Sequence, residues 1–414
     1  MVTCPHGHVC PCGAGLVTAA QCAGSGCCFT FDDTLVRSGY FCGVTGGWFC
    51  WGWVPSVSCK ENRIVRIFGC LGVGSPNGVV EGVMGVLAFR KGVFEVSAGG
   101  SGCVGGGVLG LTATVPREFV HRSSVAEVFL TGCERVAEDV FVVRGQWPRA
   151  HTFFVSADGR CHDPVQVGET VRQVGLYLCH AVYGVPLGHK VLLWSLDFEA
   201  EPDGLFIGGC PTDLELVATC SDFVWQGRRF SGLLQVVVRR DGRVLGRGRA
   251  RFSCVPAAVY QRLRGPHVAR GEAAMACVSP RVQPVLASSV GKVTPFDVVL
   301  APVQGPGRWL LSPDLGHPIL FEHANDHHPG MVLVEAARQA AYGVVPVDGF
   351  VVTGMASEFL SYAEFDADCW VDARLVSRDP EGEVLLVEVV GHQEGREVFR
   401  AQVTAVRQAQ AVTS

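Results

Sequence analysis

The sequence predicts an α+β fold built from two tandem copies of one unit, in which an antiparallel sheet surrounds a single apolar helix. A five-residue pattern occurs twice, 166 residues apart, as Glu169-Thr170-Val171-Arg172-Gln173 and Glu335-Ala336-Ala337-Arg338-Gln339. Histidines precede both glutamates by eighteen and by seven residues: His151 and His162 in the first copy, His317 and His328 in the second. Strand-like runs follow each helix, and self-similarity at a fixed spacing indicates an internal duplication.

Length and charge limit the possible classes of protein. The 414 residues suffice for two domains with cores of their own. A net charge of −5 gives no basic surface for a nucleic acid. We find no secretory signal and no apolar run long enough for a membrane helix. The sequence therefore predicts a cytoplasmic protein without nucleic-acid or membrane partners.

Residues 1–110 differ in composition from the rest of the chain. They hold 11 of the 19 cysteines and 24 of the 52 glycines. A disulfide-rich extracellular module would need a signal peptide, and a metal module would have ligands spaced too tightly for paired zinc ligation: Cys4, His6, His8, Cys10 and Cys12. DNA rich in G and T encodes a similar amino-acid composition when it is translated from an upstream start or in another reading frame. We expect a Gly/Cys-rich extension that is irregular or disordered, or a misassigned start.

The first repeat is expected over residues 112–265. It opens with residues 115–122 and a β-rich stretch that reaches Val143. A helix follows, for which Asp163 is a suitable N-cap, Pro164 suits the first turn and Gly184 suits the end. Strands are predicted over 190–198, 214–223, 230–239 and 243–252, with a hairpin turn at residues 240–242.

Residues 266–290 are expected to form a linker, and the second repeat to occupy residues 291–410. The second helix is predicted to begin at Pro329 and to end near Gly343. Strands are predicted over 349–360, 369–377, 384–391 and 398–406. A sheet wrapped around one central apolar helix is the hotdog architecture, so the two repeats predict a double hotdog within one chain.

The start of the second helix has the features of a binding site. Pro329 fixes the first turn and Gly330 allows close approach, so the free N–H groups there, next to Met331, can hold an oxyanion or a phosphate. Glu335 lies about 9 Å further along the axis and shares a face with Gln339. We expect the apolar neighbours to raise the carboxyl pKa and suit Glu335 to proton transfer. Glu169 is its counterpart, beside Gln173.

Histidines and arginines near the two helices are further candidates. His151, His317, His323 and His327 are candidate acid–base partners, and we expect one of the last three to face the site. His323 and His327 also have a metal-ligand spacing, but no local carboxylate or cysteine completes a set, so no metal is predicted. Arg172 and Arg338 are either salt-bridge partners of the glutamates or ligands of an anionic substrate group.

Residues 329–339 resemble the central-helix motif of hotdog β-hydroxyacyl-ACP dehydratases, whose helix glutamate is catalytic. Gly316-His317-Pro318 matches the histidine motif of those enzymes only in part. Over about residues 112–410 the chain is more similar to the A-factor biosynthesis (AfsA-type) family of γ-butyrolactone synthases. The shared stretches are residues 115–122, 126–132, 147–151, 169–173 and 326–339.

This resemblance implies an acyltransferase. Members of that family transfer a β-ketoacyl group from acyl carrier protein to the hydroxyl of dihydroxyacetone phosphate, the first step toward a γ-butyrolactone autoregulator, and need no cofactor. The implied roles are a glutamate or histidine as base and one of Arg149, Arg172 and Arg338 as phosphate ligand. Alternatives are a hotdog dehydratase or thioesterase acting on acyl thioesters, or a non-catalytic regulator that binds acyl ligands. The first helix lacks the Pro-Gly-Met start, which favours the second repeat as the better oxyanion site.

Overall fold

The chain forms two compact units, Met1–Leu111 and Thr112–Ser414. The structure, a computed structural model, describes residues 47–53, 66–73, 82–90, 93–99, 112–276, 282–323, 325–345 and 349–407. The candidate metal ligands between Cys4 and Cys12 lie outside the described residues.

Four strands lie in the first unit: β1 (Gly47–Trp53), β2 (Arg66–Val73), β3 (Gly82–Arg90) and β4 (Val93–Gly99). They form an antiparallel sheet in chain order. The sequence predicted an extension that is irregular or disordered, or a misassigned start. Over these four stretches the structure has strands, and the remainder of that expectation stays a prediction. The many glycines and few charges hid the strands, because they obscure the period-2 alternation that identifies a half-buried strand.

The first repeat begins with a hairpin, β5 (Leu130–Ala137) and β6 (Val140–Trp147). The apolar helix α1 spans Val165–Tyr177 and continues as a π-helical turn, Leu178–Val182. Gly184 follows with a φ of +68°, as expected for the residue that ends the helix. Four long strands complete the repeat: β7 (Lys190–Ala200), β8 (Thr212–Gln226), β9 (Arg229–Arg240) and β10 (Arg243–Val255). These are the four predicted strands, each slightly longer than expected.

Two helices occupy the segment between the repeats: α2 (Ala257–Arg264) and α3 (His267–Ala276). The sequence was interpreted as a linker from Gly265 and Pro266, which do separate the two helices. The helices themselves are too short to give a clear 3.6-residue period, and they were missed.

The second repeat has the same order of elements. Two short strands, β11 (Leu300–Pro302) and β12 (Arg308–Leu311), precede the helix α4 (Gly330–Tyr342). The remaining strands are β13 (Phe350–Phe359), β14 (Cys369–Arg378), β15 (Val384–Gln393) and β16 (Arg396–Arg407). Helix α4 begins after Pro329 and is followed by Gly343, as predicted.

All strands from β5 to β16 belong to one twelve-stranded sheet in the order β11-β12-β14-β15-β16-β13-β7-β10-β9-β8-β6-β5. Read outward from the centre, each repeat has the same strand order, so the duplication seen in the sequence is confirmed in the topology. The sequence predicted two separate sheets, but the repeats join edge to edge where β7 pairs with β13 over residues 195–199 and 354–358. The joint leaves neither of these long strands as an open edge.

Both central helices are buried against the sheet. Val171 of α1 packs against β10 at Gly248, where an added Cβ would lie 2.5 Å from the Val171 side chain. The glycine therefore lets the helix approach the sheet closely. Helix α4 is buried from Val332 to Tyr342, including all of its polar side chains. Burial of a polar group costs free energy unless the group is paired, so each of these side chains needs a hydrogen-bonding or ionic partner.

Candidate functional site

A cavity of about 290 Å³ lies at the N-terminus of α4, between the two repeats. Its walls are the start of β7 (residues 191–194), the first turn of α4 at Gly330 and Leu333, and residues 359–363 at and after the end of β13. Pro329, with φ −58° and ψ 150°, turns the chain into the helix. The first N–H groups of a helix have no carbonyl within the helix to bond, so those of Gly330 and Met331 are available to a ligand.

The pair Asp326–His327 stands at the rim of this cavity. The Nδ1 atom of His327 lies 2.9 Å from Oδ1 of Asp326, and its ring packs edge-on against Tyr362 at 4.8 Å. Since a carboxylate only accepts, Nδ1 carries the hydrogen and Nε2 of the neutral ring keeps its lone pair. The His327 side chain is 24% exposed and lines the cavity. The geometry therefore presents a basic nitrogen beside a helix N-terminus.

Asp326 is fixed and kept charged by groups from the segment between the repeats. The Tyr260 hydroxyl donates to it at 2.8 Å, and Nε of Arg264 donates to it at 3.0 Å. Burial would raise the pKa of Asp326, but the hydrogen bonds from His327, Tyr260 and Arg264 hold it well below its usual value. Arg264 is itself held by Glu364, at 2.7 Å from its Nη2 atom. The helix α2 thus supplies the support of the Asp326–His327 pair.

The next residue, His328, is a neutral wall of the cavity. Burial, and then the nearby His327, lower the pKa of His328 to about 3. Its backbone N–H donates to Ala363 O at 2.8 Å, which ties the start of α4 to the opposite wall. The ring packs against Phe365 at 4.6 Å. These contacts hold the segment before α4 in place.

Glu335 is fully buried and surrounded by donors. Arg338 reaches it through Nε at 3.0 Å and Nη2 at 2.6 Å, and the Gln339 amide donates at 2.6 Å. Lys292 Nζ lies 3.5 Å away. Burial would raise the pKa of Glu335, but the charges of Arg338 and Lys292 outweigh it and lower the pKa to about 2. The prediction that apolar neighbours raise this pKa is wrong, because it did not include the cations.

Glu169 repeats the arrangement in the first repeat. Arg172 donates to both of its oxygens at 2.8 Å, Gln173 donates at 2.9 Å, and Arg122 lies at 2.7 Å. Burial again opposes these contacts, yet Arg122 and Arg172 lower the pKa of Glu169 to about 2. Each glutamate is thus an anion at neutral pH and is enclosed by protein groups.

Arg122 and Lys292 link the two repeats through these networks. Arg122 also bonds Ile319 O at 2.9 Å and Glu322 at 2.7 Å, both in the second repeat. Lys292 donates to Phe153 O at 3.2 Å and lies 3.8 Å from Asp163, both in the first. The sequence contained a signal that we did not use: a basic residue five positions before an acidic one in each lead-in, Arg122 and Glu127, then Lys292 and Asp297.

His151 and His317 have equivalent structural contacts. Nε2 of His151 lies 3.2 Å from Glu127, and Nε2 of His317 lies 3.0 Å from Asp297. In each ring Nδ1 accepts from two backbone N–H groups two and three residues later. Both nitrogens of both rings are therefore used. This arrangement favours a structural role for the two histidines, in the loop before each helix, over a role in proton transfer.

The remaining candidate site residues have separate environments in the structure. Gln173 and Gln339 each accept from a backbone N–H and donate to a backbone carbonyl, so both amides are used within the protein. Arg149 is exposed and donates to Gly208 O at 2.9 Å. Arg338 is enclosed with Glu335, whereas the Arg172 side chain is 20% exposed. His323 is exposed in the loop before α4.

The two helix N-termini differ in accessibility. The first four residues of α1, from Val165 to Gly168, are buried, and the N–H of Val165 bonds Asp163 at 2.9 Å. Gly330 and Met331 of α4 are only partly buried, and Gly330 lines the cavity. This difference supports the expectation that the second repeat has the better oxyanion site.

Within the described ranges of the chain, no three or more His, Cys, Asp or Glu side chains are grouped so that they could hold a metal ion. None of the helices in those ranges is both long and apolar enough to cross a membrane.

The sequence matches the model of one protein family over most of the second unit. The family is described as the A-factor biosynthesis hotdog domain (AfsA), and the match covers residues 107–256 and 274–408. The break between the matched segments falls in the part of the chain that carries α2 and α3.

Relatives from Streptomyces match over nearly their whole length. A "2-oxo-3-(phosphooxy)propyl 3-oxoalkanoate synthase" of Streptomyces virginiae is 46% identical over 291 residues, which cover 70% of this chain and 96% of the relative. A protein of the same name from Streptomyces griseus is 38% identical over 293 residues, which cover 70% and 95%.

Among solved structures, the chain is similar to a 12:0-ACP thioesterase from Umbellularia californica, with 12% identity, a TM-score of 0.40, and coverage of 64% of this chain and 94% of that one. A MaoC-like dehydratase gives 15% identity and a TM-score of 0.33, with coverage of 56% and 80%. Likeness at this level says nothing about chemistry.

Proposed function

Because the chain belongs to the A-factor biosynthesis hotdog family, we propose that it is the acyltransferase that joins a β-ketoacyl group to the hydroxyl of dihydroxyacetone phosphate. The names of its relatives describe that ester product. The donor is a thioester on acyl carrier protein, and the reaction is the first step toward a γ-butyrolactone autoregulator. The observation that supports this proposal most directly is the Asp326–His327 pair, beside the open N-terminus of α4 and at the rim of a cavity.

In the proposed reaction His327 acts as general base. Its Nε2 takes the proton from the acceptor hydroxyl as the oxygen attacks the thioester carbonyl. The charge that develops on the carbonyl oxygen is stabilised by the N–H groups of Gly330 and Met331 and the positive end of α4. The carbon–sulfur bond then breaks, and the proton held by His327 passes to the leaving sulfur. Asp326 stabilises the charged imidazole and fixes its tautomer.

Space for the donor continues beyond the first cavity. A groove of about 470 Å³ shares Leu192 and Trp194 with it and extends to Arg228 and Arg229 at the turn between β8 and β9. Its floor is apolar, with Val255, Val259 and Leu263. An acyl thioester arm can therefore enter along the groove while its carbonyl lies at the helix N-terminus, the arrangement that acyl transfer needs.

The test uses the purified full-length chain with a β-ketoacyl thioester of acyl carrier protein and dihydroxyacetone phosphate. We expect the phosphorylated ester, identified by mass spectrometry. His327→Gln should lower kcat about 10²–10⁴-fold, the usual contribution of a general base, without changing the melting temperature. His392→Gln, at a half-buried strand position beside Asp372, is the matched control and should keep full activity. Free acid or enoyl product in place of the ester would instead indicate a thioesterase or dehydratase.

A further inference from the structure

The groove beside the cavity is walled by three strands and by helix α2. Its lining residues come from the start of β7 and β9 and from the end of β10, which lie together because these strands are antiparallel. Val259 and Leu263, one helical turn apart, form the wall that α2 contributes. Tyr260 and Arg264, the next residues of α2, hold Asp326 at the rim of the cavity. One helix therefore borders the groove and supports the proposed base.

Trp194 lies where the groove meets the cavity. Leu193 pairs with Phe252 and Ser195 pairs with Arg251, so Trp194 is the extra residue of a β-bulge in β7. Bulges change the direction of a side chain and are frequent next to active sites. Trp194 is 41% exposed and lines both the groove and the cavity. A ligand that runs from the groove into the cavity therefore passes along this indole.

A buried hydroxyl fixes both Trp194 and an arginine of the groove. Oγ of Ser253, on β10, accepts a hydrogen bond from Nε1 of Trp194 at 3.0 Å and one from Nη2 of Arg229 at 2.7 Å. Ser253 is only 1% exposed, whereas Arg229 and its neighbour Arg228 are exposed and line the groove. The guanidinium of Arg229 is thus oriented before any ligand binds, which lowers the entropy that binding would cost.

The arginines and the N-terminus of α4 lie on opposite sides of β7. Strand β10 lies between β9 and β7, so the backbones of β9 and β7 are about 10 Å apart. On its other side β7 meets α4, because an added Cβ at Gly330 would lie 3.3 Å from Cδ2 of Leu193. The described residues that line the groove include two guanidinium groups and no carboxylate. The geometry fits a long ligand with an anion at one end and the reacting carbonyl at the other.

We propose that Arg228 and Arg229 hold the phosphodiester of the 4′-phosphopantetheine arm of the carrier protein, and that the arm lies along Trp194 into the cavity. The proposal rests on the acyl transfer proposed above. Guanidinium groups bind phosphate oxygens through paired hydrogen bonds, and the thioester is at the far end of this linear arm. Coenzyme A has the same arm, but Val224 and Trp225, each 42% exposed on the hairpin that carries the arginines, favour a protein partner.

Two donors that differ by one phosphate provide the test: β-ketoacyl pantetheine and β-ketoacyl 4′-phosphopantetheine. With the full-length wild type, the KM should be about tenfold lower for the phosphorylated donor, the effect of one charged hydrogen bond. In the double variant Arg228→Gln, Arg229→Gln the two donors should have the same KM. The KM for the carrier-bound donor should rise at least tenfold and should depend less on salt. The kcat and the KM for dihydroxyacetone phosphate should not change.

Two further variants separate the parts of the groove. Trp194→Ala should raise the KM for both donors, because the indole contacts a part of the arm that both contain. Arg243→Gln, which removes an exposed cation at the other end of β10, is the matched control for the arginines. It should keep the full preference for the phosphorylated donor.

A double variant that still prefers the phosphorylated donor would overturn the site. An equal rise in KM for both donors in that variant would also overturn it, and would show that the arginines support the fold. A lower KM for β-ketoacyl coenzyme A than for the carrier-bound donor would overturn the choice of a carrier protein. If the chain binds 4′-phosphopantetheine but not pantetheine in calorimetry, loses that binding in the double variant and forms no ester, the site stands and the proposed reaction fails.

Discussion

Glu335 and Glu169 are fully buried, yet each stays charged because arginine, glutamine and a second cation enclose it. The sequence showed a glutamate on an apolar helix and suggested a catalytic carboxyl with a raised pKa. Arg338 and Gln339 are local and could be anticipated from the pattern. Arg122, however, lies 47 residues before Glu169 in the chain, and such contacts follow from the folded lead-in rather than from any local pattern.

We therefore expect the replacement of Glu335 to act first on the stability of the fold. Glu335→Gln should lower the free energy of unfolding at pH 7 by about 3–5 kcal/mol, because Arg338 and Lys292 remain buried without their anion. The folded-state pKa of about 2 lies below the ordinary 4.5, so the contribution of the carboxylate is fully present above pH 4.5 and is lost as pH falls toward 2. The difference between wild type and variant, measured by urea denaturation, should accordingly shrink between pH 5 and pH 3.

Glu397→Gln is the control for that experiment. Glu397 pairs with Arg400 at the same three-residue spacing, at 2.7 Å, but both side chains are largely exposed. Its replacement should cost no more than about 1 kcal/mol, as exposed ion pairs do. If the Glu335→Gln protein were as stable as the Glu397→Gln protein but inactive, Glu335 would have a direct role in the reaction.

The role of Asp326 is to hold His327 in position. Asp326→Asn keeps the size of the side chain but can donate to Nδ1, which would place the hydrogen of His327 on Nε2. We expect kcat to fall about 10³–10⁴-fold, with the KM for both substrates nearly unchanged. Steady-state kinetics at saturating thioester measures this effect. Asp372→Asn, an exposed carboxylate paired with Arg308, should leave kcat as it is.

At the scale of elements, the sequence predicted the two central helices and the eight long strands because each has a strong period or a clear cap. The short elements around the site were missed. Helix α2 has eight residues and a polar exterior, yet it supplies Tyr260 and Arg264 to Asp326. Nothing in its local pattern shows that its inner face meets the loop before α4, because that contact is set by how the repeats fold together.

Arg264 makes the contribution of α2 testable. Its guanidinium bonds Asp326 and Glu364 and lies 4.0 Å from the centre of the Tyr362 ring. Arg264→Lys keeps the charge but cannot serve both carboxylates with a planar fork. We expect kcat to fall about tenfold or more, with a changed pH profile of kcat, because Asp326, which holds His327, is less well fixed.

The matched control is Arg262→Lys, two residues away on the exposed face of the same helix. It should be indistinguishable from wild type in kcat and in pH profile. A fall in stability for Arg264→Lys with no change in the pH profile would show that Arg264 supports the fold without positioning His327.

At the scale of the whole second unit, the twelve-stranded sheet and two buried ionic networks cross the boundary between the repeats. The duplication was evident from the sequence, but the continuity of the sheet was not. Pairing of β7 with β13 depends on which edges meet, and strand patterns alone do not encode that choice. The cavity at the N-terminus of α4 is likewise a property of the assembled pair, because both repeats contribute to its walls.

This architecture predicts that the repeats unfold together. Arg122 bonds Glu169 in its own repeat and Glu322 in the other, so Arg122→Met leaves two buried carboxylates without their shared cation and should cost about 3–5 kcal/mol. Hydrogen exchange should then rise in α1 and equally in residues 319–323, while calorimetry still shows one transition for residues 112–407. Arg144→Met, an exposed change on β6, should alter neither. Two separate transitions, or faster exchange in the first repeat alone, would show that the repeats are independent and that the site between them is held by the sheet joint only.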